Sequence, residues 1–363
     1  MKQVGDDIKM EDLKMKKLAM IGCGGIGGYH LEHFLKYDDV ELAGFCDLLP
    51  ERAQAFAQRA GGRAFTSYVE MYDAIAPDMV FICVPPTAHG AIELETIRRG
   101  IHMFVEKPVA LDLSLAMQIL DAAAQAGIIT ASGFQCRYSN LIEPTRQFIG
   151  NHEIVFLSCA RIGGVPETPW WVKRSTSGGQ IVEQTIHQFD LIRYVYGEPE
   201  TVFTMGTRGF VTDIDGYDTE DLTVTAVRFR SGALATISTG CYASDGAAFD
   251  GKITFSARDA RLDHYILGKV DIYGDRRAAD ECDEKGFVIK GDGSMRTREN
   301  AEALCIREEG DAGFLCDRTF VDAVLSGDAS RIRSPYADAV RSLAFTLACN
   351  QSMDTGMPVH VIA

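Results

Sequence analysis

Three groups of residues have the types and spacing to do chemistry. In Glu106-Lys107-Pro108, the proline ring fixes its own backbone and restricts the residue before it, so Lys107 is presented from a constrained loop. Its ammonium group can donate to a hydroxyl or to a developing oxyanion, or simply be solvated at the surface. Gly178-Gly179 introduces a segment carrying Glu183, Gln184, His187 and Asp190. Read as one helix, the spacing of four predicts Glu183 and His187 on one face. A histidine titrates near neutrality and can take the proton of an alcohol, and Glu183 can orient that imidazole or bond a substrate hydroxyl. The apolar neighbours Ile181, Val182, Ile186 and Phe189 also permit an ordinary packed helix. Trp170 and Trp171, the only two tryptophans, can stack on the apolar face of a sugar or pack in the core. In an extended segment only one of them faces a given pocket.

A fourth group binds rather than reacts. Gly22-Cys23-Gly24-Gly25-Ile26-Gly27 follows the apolar run Leu18 to Ile21, the position of a dinucleotide-binding turn. Gly24 lets the backbone approach a pyrophosphate, and Gly27 lets the following helix pack on the sheet with its N-terminal amides toward the phosphates. Asp47 stands twenty residues after Gly27, at the end of the next apolar run, where an acid accepts from the ribose hydroxyls and repels a 2'-phosphate. NAD is therefore favoured over NADP, although Arg52 can reach a 2'-phosphate.

These residues need a scaffold, and the hydrophobic pattern supplies one. Leu18 to Ile21, Val40 to Cys46, Met79 to Val84, His102 to Val105 and Ile128 to Ser132 read as buried strands separated by helical stretches, one of which opens on a Ser67/Glu70 capping box. That alternation predicts a parallel doubly wound sheet over residues 17–137. From residue 138 the pattern changes to alternating segments: Glu153 to Ile162, Thr219 to Arg230, Ala233 to Thr239 and Gly251 to Ser256. A turn at Arg230-Ser231-Gly232 joins two of them. An antiparallel sheet follows for residues 138–363, with helical spacing again from Phe314 to Ser352 and a short strand at Val359 to Ile362. Residues 1–16 are polar and read as an extension outside the core.

The chain has 363 residues, 46% of them hydrophobic and 24% charged, which suits two globular domains. Its net charge of −15 excludes partners held by phosphate neutralisation, so neither nucleic acid nor an anionic membrane is expected. Ten cysteines without short metal spacing predict no metal site and a reduced, cytoplasmic protein. No apolar stretch has the roughly 20 residues needed to span a bilayer.

Taken in series, the glycine loop, Cys83-Val84-Pro85-Pro86-Thr87-Ala88-His89, Glu106-Lys107-Pro108, and Gly178-Gly179 through His187 resemble the glucose-fructose oxidoreductase and inositol dehydrogenase family. The resemblance implies a Rossmann domain followed by an α/β domain with a large open antiparallel sheet used to form homo-oligomers, dimers or tetramers. It implies Lys107 and His187 as catalytic residues with Glu183 at a position usually held by aspartate. Val84, Pro85, His89, Glu106, Lys107 and Gln135 would line the nicotinamide side, joining Gly22, Gly24, Gly25, Ile26, Gly27, Asp47 and Arg52. Arg137, Tyr138, Trp170, Trp171, Lys107, Glu183 and His187 would meet the substrate. The expected reaction is oxidation of a secondary hydroxyl of a sugar, cyclitol or glycoside to a ketone with NAD. Two alternatives remain open: glycoside 3-oxidation with tightly retained NAD, and a non-catalytic dinucleotide-binding regulator.

Overall fold

In the computed structural model, residues 15–274, 288–289, 295–296 and 303–362 are described. The first half alternates strands and helices: β1 (Lys16–Ile21), α1 (Gly25–Phe34), β2 (Val40–Cys46), α2 (Pro50–Ala60), β3 (Arg63–Phe65), α3 (Tyr68–Ile75), β4 (Met79–Ile82), α4 (Ala91–Arg98), β5 (His102–Val105), α5 (Leu113–Ala126) and β6 (Thr130–Ser132). The six strands pair in parallel in the order β3-β2-β1-β4-β5-β6. Each strand is an apolar run because helices cover both faces of the sheet. Capping is local chemistry: Ser67 Oγ accepts from Glu70 N, and Asp112 from Leu115 N, at the starts of α3 and α5. The doubly wound sheet is thus as expected, apart from β3. That strand has three largely exposed residues and no apolar signal.

The second half contains α6 (Ile142–Asn151), β7 (Phe156–Ile162), α7 (Arg174–Ser177), α8 (Gln180–Glu183), α9 (Ile186–Tyr196), β8 (Pro199–Thr207), β9 (Leu222–Phe229), β10 (Leu234–Gly240), β11 (Asp250–Ser256), β12 (Arg261–Tyr265) and β13 (Lys269–Tyr273). It continues through β14 (Val288–Ile289), β15 (Met295–Arg296), β16 (Leu304–Arg307), α10 (Ala312–Ser326), α11 (Tyr336–Thr355) and β17 (Val359–His360). Nine strands form one open sheet, β16-β13-β12-β11-β7-β10-β9-β8-β17. β9 and β10 make the hairpin expected at Arg230-Ser231-Gly232. The sheet is mixed rather than wholly antiparallel, because β7 and β10 run parallel. β7 is followed by the α7–α9 crossover, and alternation along a strand does not disclose its direction.

Two further expectations change. The helix drawn from Gly178 through Asp190 is broken: α8 ends at Glu183 and α9 starts at Ile186. Thr185 N bonds Gln180 O, five residues back, and Thr185 Oγ1 bonds the same carbonyl. This wide turn resets the helical register between Glu183 and His187. The C-terminal helices also do not stay with their own half. Cys316, Phe320, Val321 and Val324 of α10 pack with Leu18, Met20, Phe81 and Phe104 of the parallel sheet. Tyr336, Ala339, Val340 and Leu343 of α11 pack with Ile119 of α5 and Val105 of β5. Phe345, Ala348 and Cys349, further along α11, join the core of the second sheet with Phe189 and Val202. The polar extension of residues 1–16 lies outside the described residues except for its last two, and Lys16 already belongs to β1.

Candidate active site

The site begins where β1 and β4, neighbours in the sheet, send their following helices away in different directions, the place where doubly wound folds bind ligands. Gly22 has φ of +92°, and a Cβ there would lie 2.1 Å from Cys83 O. Only glycine lets the β1 turn press against the end of β4. A Cβ on Gly27 would lie 2.2 Å from Gly22 O, so α1 packs directly on the turn. Gly24 and Gly25 behave differently: nothing lies within 4 Å of a Cβ on Gly25, and only Arg52 Nη1, at 3.9 Å, approaches one on Gly24. That open cradle at a helix N-terminus, with exposed Ile26 beside it, fits a pyrophosphate.

Asp47 holds the same loop. Its Oδ2 accepts from Cys23 N at 2.8 Å and its Oδ1 from Leu49 N at 2.9 Å. The carboxylate is therefore locked at the end of β2, with lone pairs left to accept from a ribose. Asp47→Asn keeps an acceptor but removes the charge; the expected result is a KM for NAD raised about tenfold and a narrowed preference over NADP, roughly 1.4 kcal/mol each. Steady-state kinetics with both cofactors checks this.

The reactive groups converge from three segments. Lys107 leaves the end of β5, and its Nζ donates to Glu183 O at 3.0 Å and to Glu183 Oε1 at 3.4 Å. Trp171 Nε1 donates to Glu183 Oε2 at 2.6 Å. Both carboxylate oxygens of Glu183 are thus engaged, and neither goes to His187. Trp171 is fully buried; it orients Glu183 and offers no face for sugar stacking. Trp170 is only partly buried.

His187 packs edge-on to Phe134, ring centroids 6.1 Å apart. Its Nδ1 is buried without a partner, and among the described residues Nε2 has none either. Burial and then the Lys107 charge push its pKa down to about 3; Glu106 opposes and Arg161 adds to the lowering. The ring is neutral at physiological pH, a proton acceptor whose hydrogen-bonding capacity is unspent.

Glu106 anchors the lysine loop: its Oε2 accepts from Lys107 N at 3.0 Å and its Oε1 from His30 Nε2 at 3.0 Å. A Cβ on Gly133 would lie 2.2 Å from Glu106 Oε1, so the end of β6 closes tightly over this carboxylate. His30 Nδ1 in turn donates to Asp317 Oδ2 at 2.7 Å, which also accepts from His33 Nδ1 at 2.6 Å. Burial favours a neutral His30, yet Asp317 and Glu106 outweigh it and raise its pKa to about 10. This buried carboxylate–imidazolium–carboxylate tie between α1, α10 and the lysine loop joins residues far apart in the chain. Only the three-residue spacing of His30 and His33 on one helix hinted at it.

Other expected residues go elsewhere. His89, also buried, pairs through Nδ1 with Glu93 Oε1 at 2.6 Å, leaving its buried Nε2 without a partner among the described residues. Glu93 was not anticipated, although a spacing of four makes the pair legible. Val84 and Pro85 lie in the loop after β4, which ends at Ile82, two residues short of the strand expected to run to Val84. Gln135 Oε1 accepts from Tyr29 OH at 2.8 Å. Arg137 and Tyr138 do not face the site. Arg137 is fully buried, with Nε and Nη2 on Asp190 and Nη1 on Arg333 O and Asp338. Tyr138 OH accepts from Arg333 N at 2.9 Å. Adjacent to β6 in sequence, both are used at the seam between the two halves.

A Rossmann sheet with an open phosphate cradle, an acid at the end of β2, and a lysine and a neutral histidine at the sheet edge define an NAD-dependent oxidoreductase. Residues 16–134 match the oxidoreductase family with an NAD-binding Rossmann fold, and residues 149–263 match the GFO/IDH/MocA C-terminal domain. The chain belongs to that family, whose relatives are dehydrogenases acting on CH–OH groups. It is 28% identical over 224 residues to myo-inositol 2-dehydrogenase of Thermotoga maritima, covering 61% of this chain and 67% of that one. It is 26% identical over 245 residues to D-glucoside 3-dehydrogenase of Escherichia coli, covering 61% and 69%. The chain thus aligns with about two thirds of these relatives' length. In fold it is similar to the WlbA dehydrogenase from Bordetella pertussis in complex with NADH and UDP-GlcNAcA: TM-score 0.77 at 20% identity, over 96% of this chain and 100% of that one.

Proposed function

We propose that the protein oxidises a secondary hydroxyl of a sugar, cyclitol or glycoside to a ketone, reversibly, with His187 as the base. The observation that carries this reading is a neutral His187 without a hydrogen-bond partner among the described residues, next to a lysine fixed by Glu183. When bound, NAD supplies the hydride acceptor. Gly24, Gly25 and the N-terminus of α1 would hold its pyrophosphate and Asp47 its ribose. Lys107 donates to the substrate oxygen and stabilises the charge that develops there. His187 takes the hydroxyl proton, and Glu183 keeps Lys107 in place. Trp170 is the aromatic surface left for a sugar face. The names of the relatives, myo-inositol 2-dehydrogenase and D-glucoside 3-dehydrogenase, support a cyclic polyol. The test is absorbance at the NADH band with purified protein and a panel of inositols, free sugars, glycosides and nucleotide sugars, each with NAD and with NADP. No NADH from any member defeats the reading.

The glucoside dehydrogenase relative also supports a narrower version, in which NAD stays bound while a glycoside is oxidised at C3. NAD found with the purified protein, and turnover without added NAD, would select it.

The outward face of the nine-stranded sheet supports a homo-oligomer. Phe156 and Leu234 pair across β7–β10, and Met205 and Val224 across β8–β9. All four are exposed, Met205 by 61%, and they lie on one face with Phe203. Burying such a surface at about 25 cal/mol per Å² favours association. The double substitution Met205→Glu with Val224→Lys is expected to convert a dimer or tetramer to single chains, read by light scattering after gel filtration. A wild type that already runs as a single chain overturns this.

A further inference from the structure

On β7, Leu157 and Cys159 point into the helix-covered core, and the two-residue period of a strand places Arg161 on that same face. Its partner across β10 is Thr239. Thr239 touches Gln180 and Thr185, which flank Glu183 in the α8–α9 turn. Arg161 therefore stands beside the strand residue that touches the segment carrying Glu183 and His187.

The guanidinium is half used. Nη1 donates to Gly240 O at 3.3 Å and lies 3.4 Å from Cys241 Sγ. Among the described residues Nε and Nη2 have no partner, and no carboxylate lies within 4 Å of the group. A Cβ on Gly163 would lie 2.7 Å from Arg161 Nη1, so the chain leaves room for the guanidinium to fold over this turn. The buried Arg137 network and the surface pairs of Arg98 and Arg99 show where this chain places arginines that serve stability: on carboxylates. Among the described residues Arg161, by contrast, meets no carboxylate. The open Nε/Nη2 edge is the one that receives two oxygens of a carboxylate or phosphate side by side. A chain of net charge −15 repels a free anion, so an anionic substrate needs a local cation to hold it. Arg161 also contributes to the lowering of the His187 pKa.

We infer that Arg161 anchors an anionic substituent, carboxylate or phosphate, of the sugar or cyclitol substrate, at an end remote from the carbinol carbon beside His187. This deepens the proposed function and rests on it for the identity of the remainder of the substrate. The site then selects sugar acids or sugar phosphates over their neutral parents.

Calorimetric titration of the NADH-loaded protein with D-glucuronate, D-glucose 6-phosphate and D-glucose tests it, for the wild type, Arg161→Met and Arg161→Lys. The wild type is expected to bind at least one anion about thirtyfold more tightly than D-glucose, and the stronger anion tells carboxylate from phosphate. Arg161→Met should abolish this discrimination. Arg161→Lys, which keeps the charge without the fork, should reduce it several-fold, and it decides the matter if the Met variant does not fold. Wild-type protein that shows no anion preference at millimolar concentration overturns the inference, as does discrimination that survives in the variants. A wild type that binds the anion through Arg161 but makes NADH from no member of the panel would defeat the oxidation reading and leave the anchor standing.

Discussion

Replacing His187 by alanine is expected to lower kcat/KM for the alcohol substrate by about a hundredfold or more while NADH binds as before. The imidazole makes no hydrogen bond that holds the fold among the described residues, and its Nδ1 is buried without a partner, so its removal subtracts chemistry rather than support. Stability should change little, because the substitution also removes an unsatisfied buried nitrogen. Nuclear magnetic resonance gives a second readout. In the cofactor-free protein the His187 ring should stay neutral as the pH falls from 7 to about 4, since burial and Lys107 hold its pKa near 3. The sign follows: between the ordinary histidine range and about 3 the unfolded chain binds the extra proton, so this group costs stability as pH falls through that window and costs nothing above it. Lys107→Ala should move the titration upward. Undiminished turnover in His187→Ala would falsify the assignment of the base.

Arg137→Met is expected to cost about 3–5 kcal/mol of folding stability, the loss seen when one partner of a buried ion pair is removed. The guanidinium is fully buried; Nε and Nη2 form a fork on Asp190, and Nη1 bonds Asp338 and Arg333 O. Asp190 also accepts from Ser342, and Arg193 shares Asp338. Removing Arg137 leaves Asp190 underneutralised on α9, three residues after His187. Arg137→Lys should recover only part of the loss, because an ammonium group cannot reproduce the fork. Urea unfolding measures the stability, and KM for the alcohol should move little in protein that remains folded. Wild-type stability together with a KM raised tenfold would return Arg137 to the substrate site.

These two residues separate what spacing along the chain encodes from what it does not. Strands β1, β2, β4 and β5 were legible because each is a short apolar run, and the glycine loop, Lys107 and His187 because each belongs to a motif with fixed spacing. Arg137 reads as a substrate residue because it follows the last parallel strand, where residues near a cofactor and residues at a domain seam look alike; the structure instead buries it on Asp190 and Asp338. Glu183 illustrates a different failure: its helical spacing to His187 is real in the sequence, but Thr185 breaks the helix, and the carboxylate turns to Trp171 and Lys107 instead. Trp171 is known as a hydrogen-bond donor only once that turn is seen.

The chain order of residue types, by itself, determined the parallel dinucleotide fold and marked the glycine loop, Lys107 and His187 as the candidates for its site. Local spacing and hydrophobic period are properties of the chain, and they suffice to mark those features. Tertiary structure alone decided that α10 and α11 return to complete the first core, that His30 and Asp317 brace the lysine loop across 287 positions, and that His187 is neutral. It alone left one edge of Arg161 open. Burial and pairing depend on which distant segments meet, and no spacing along the chain encodes that.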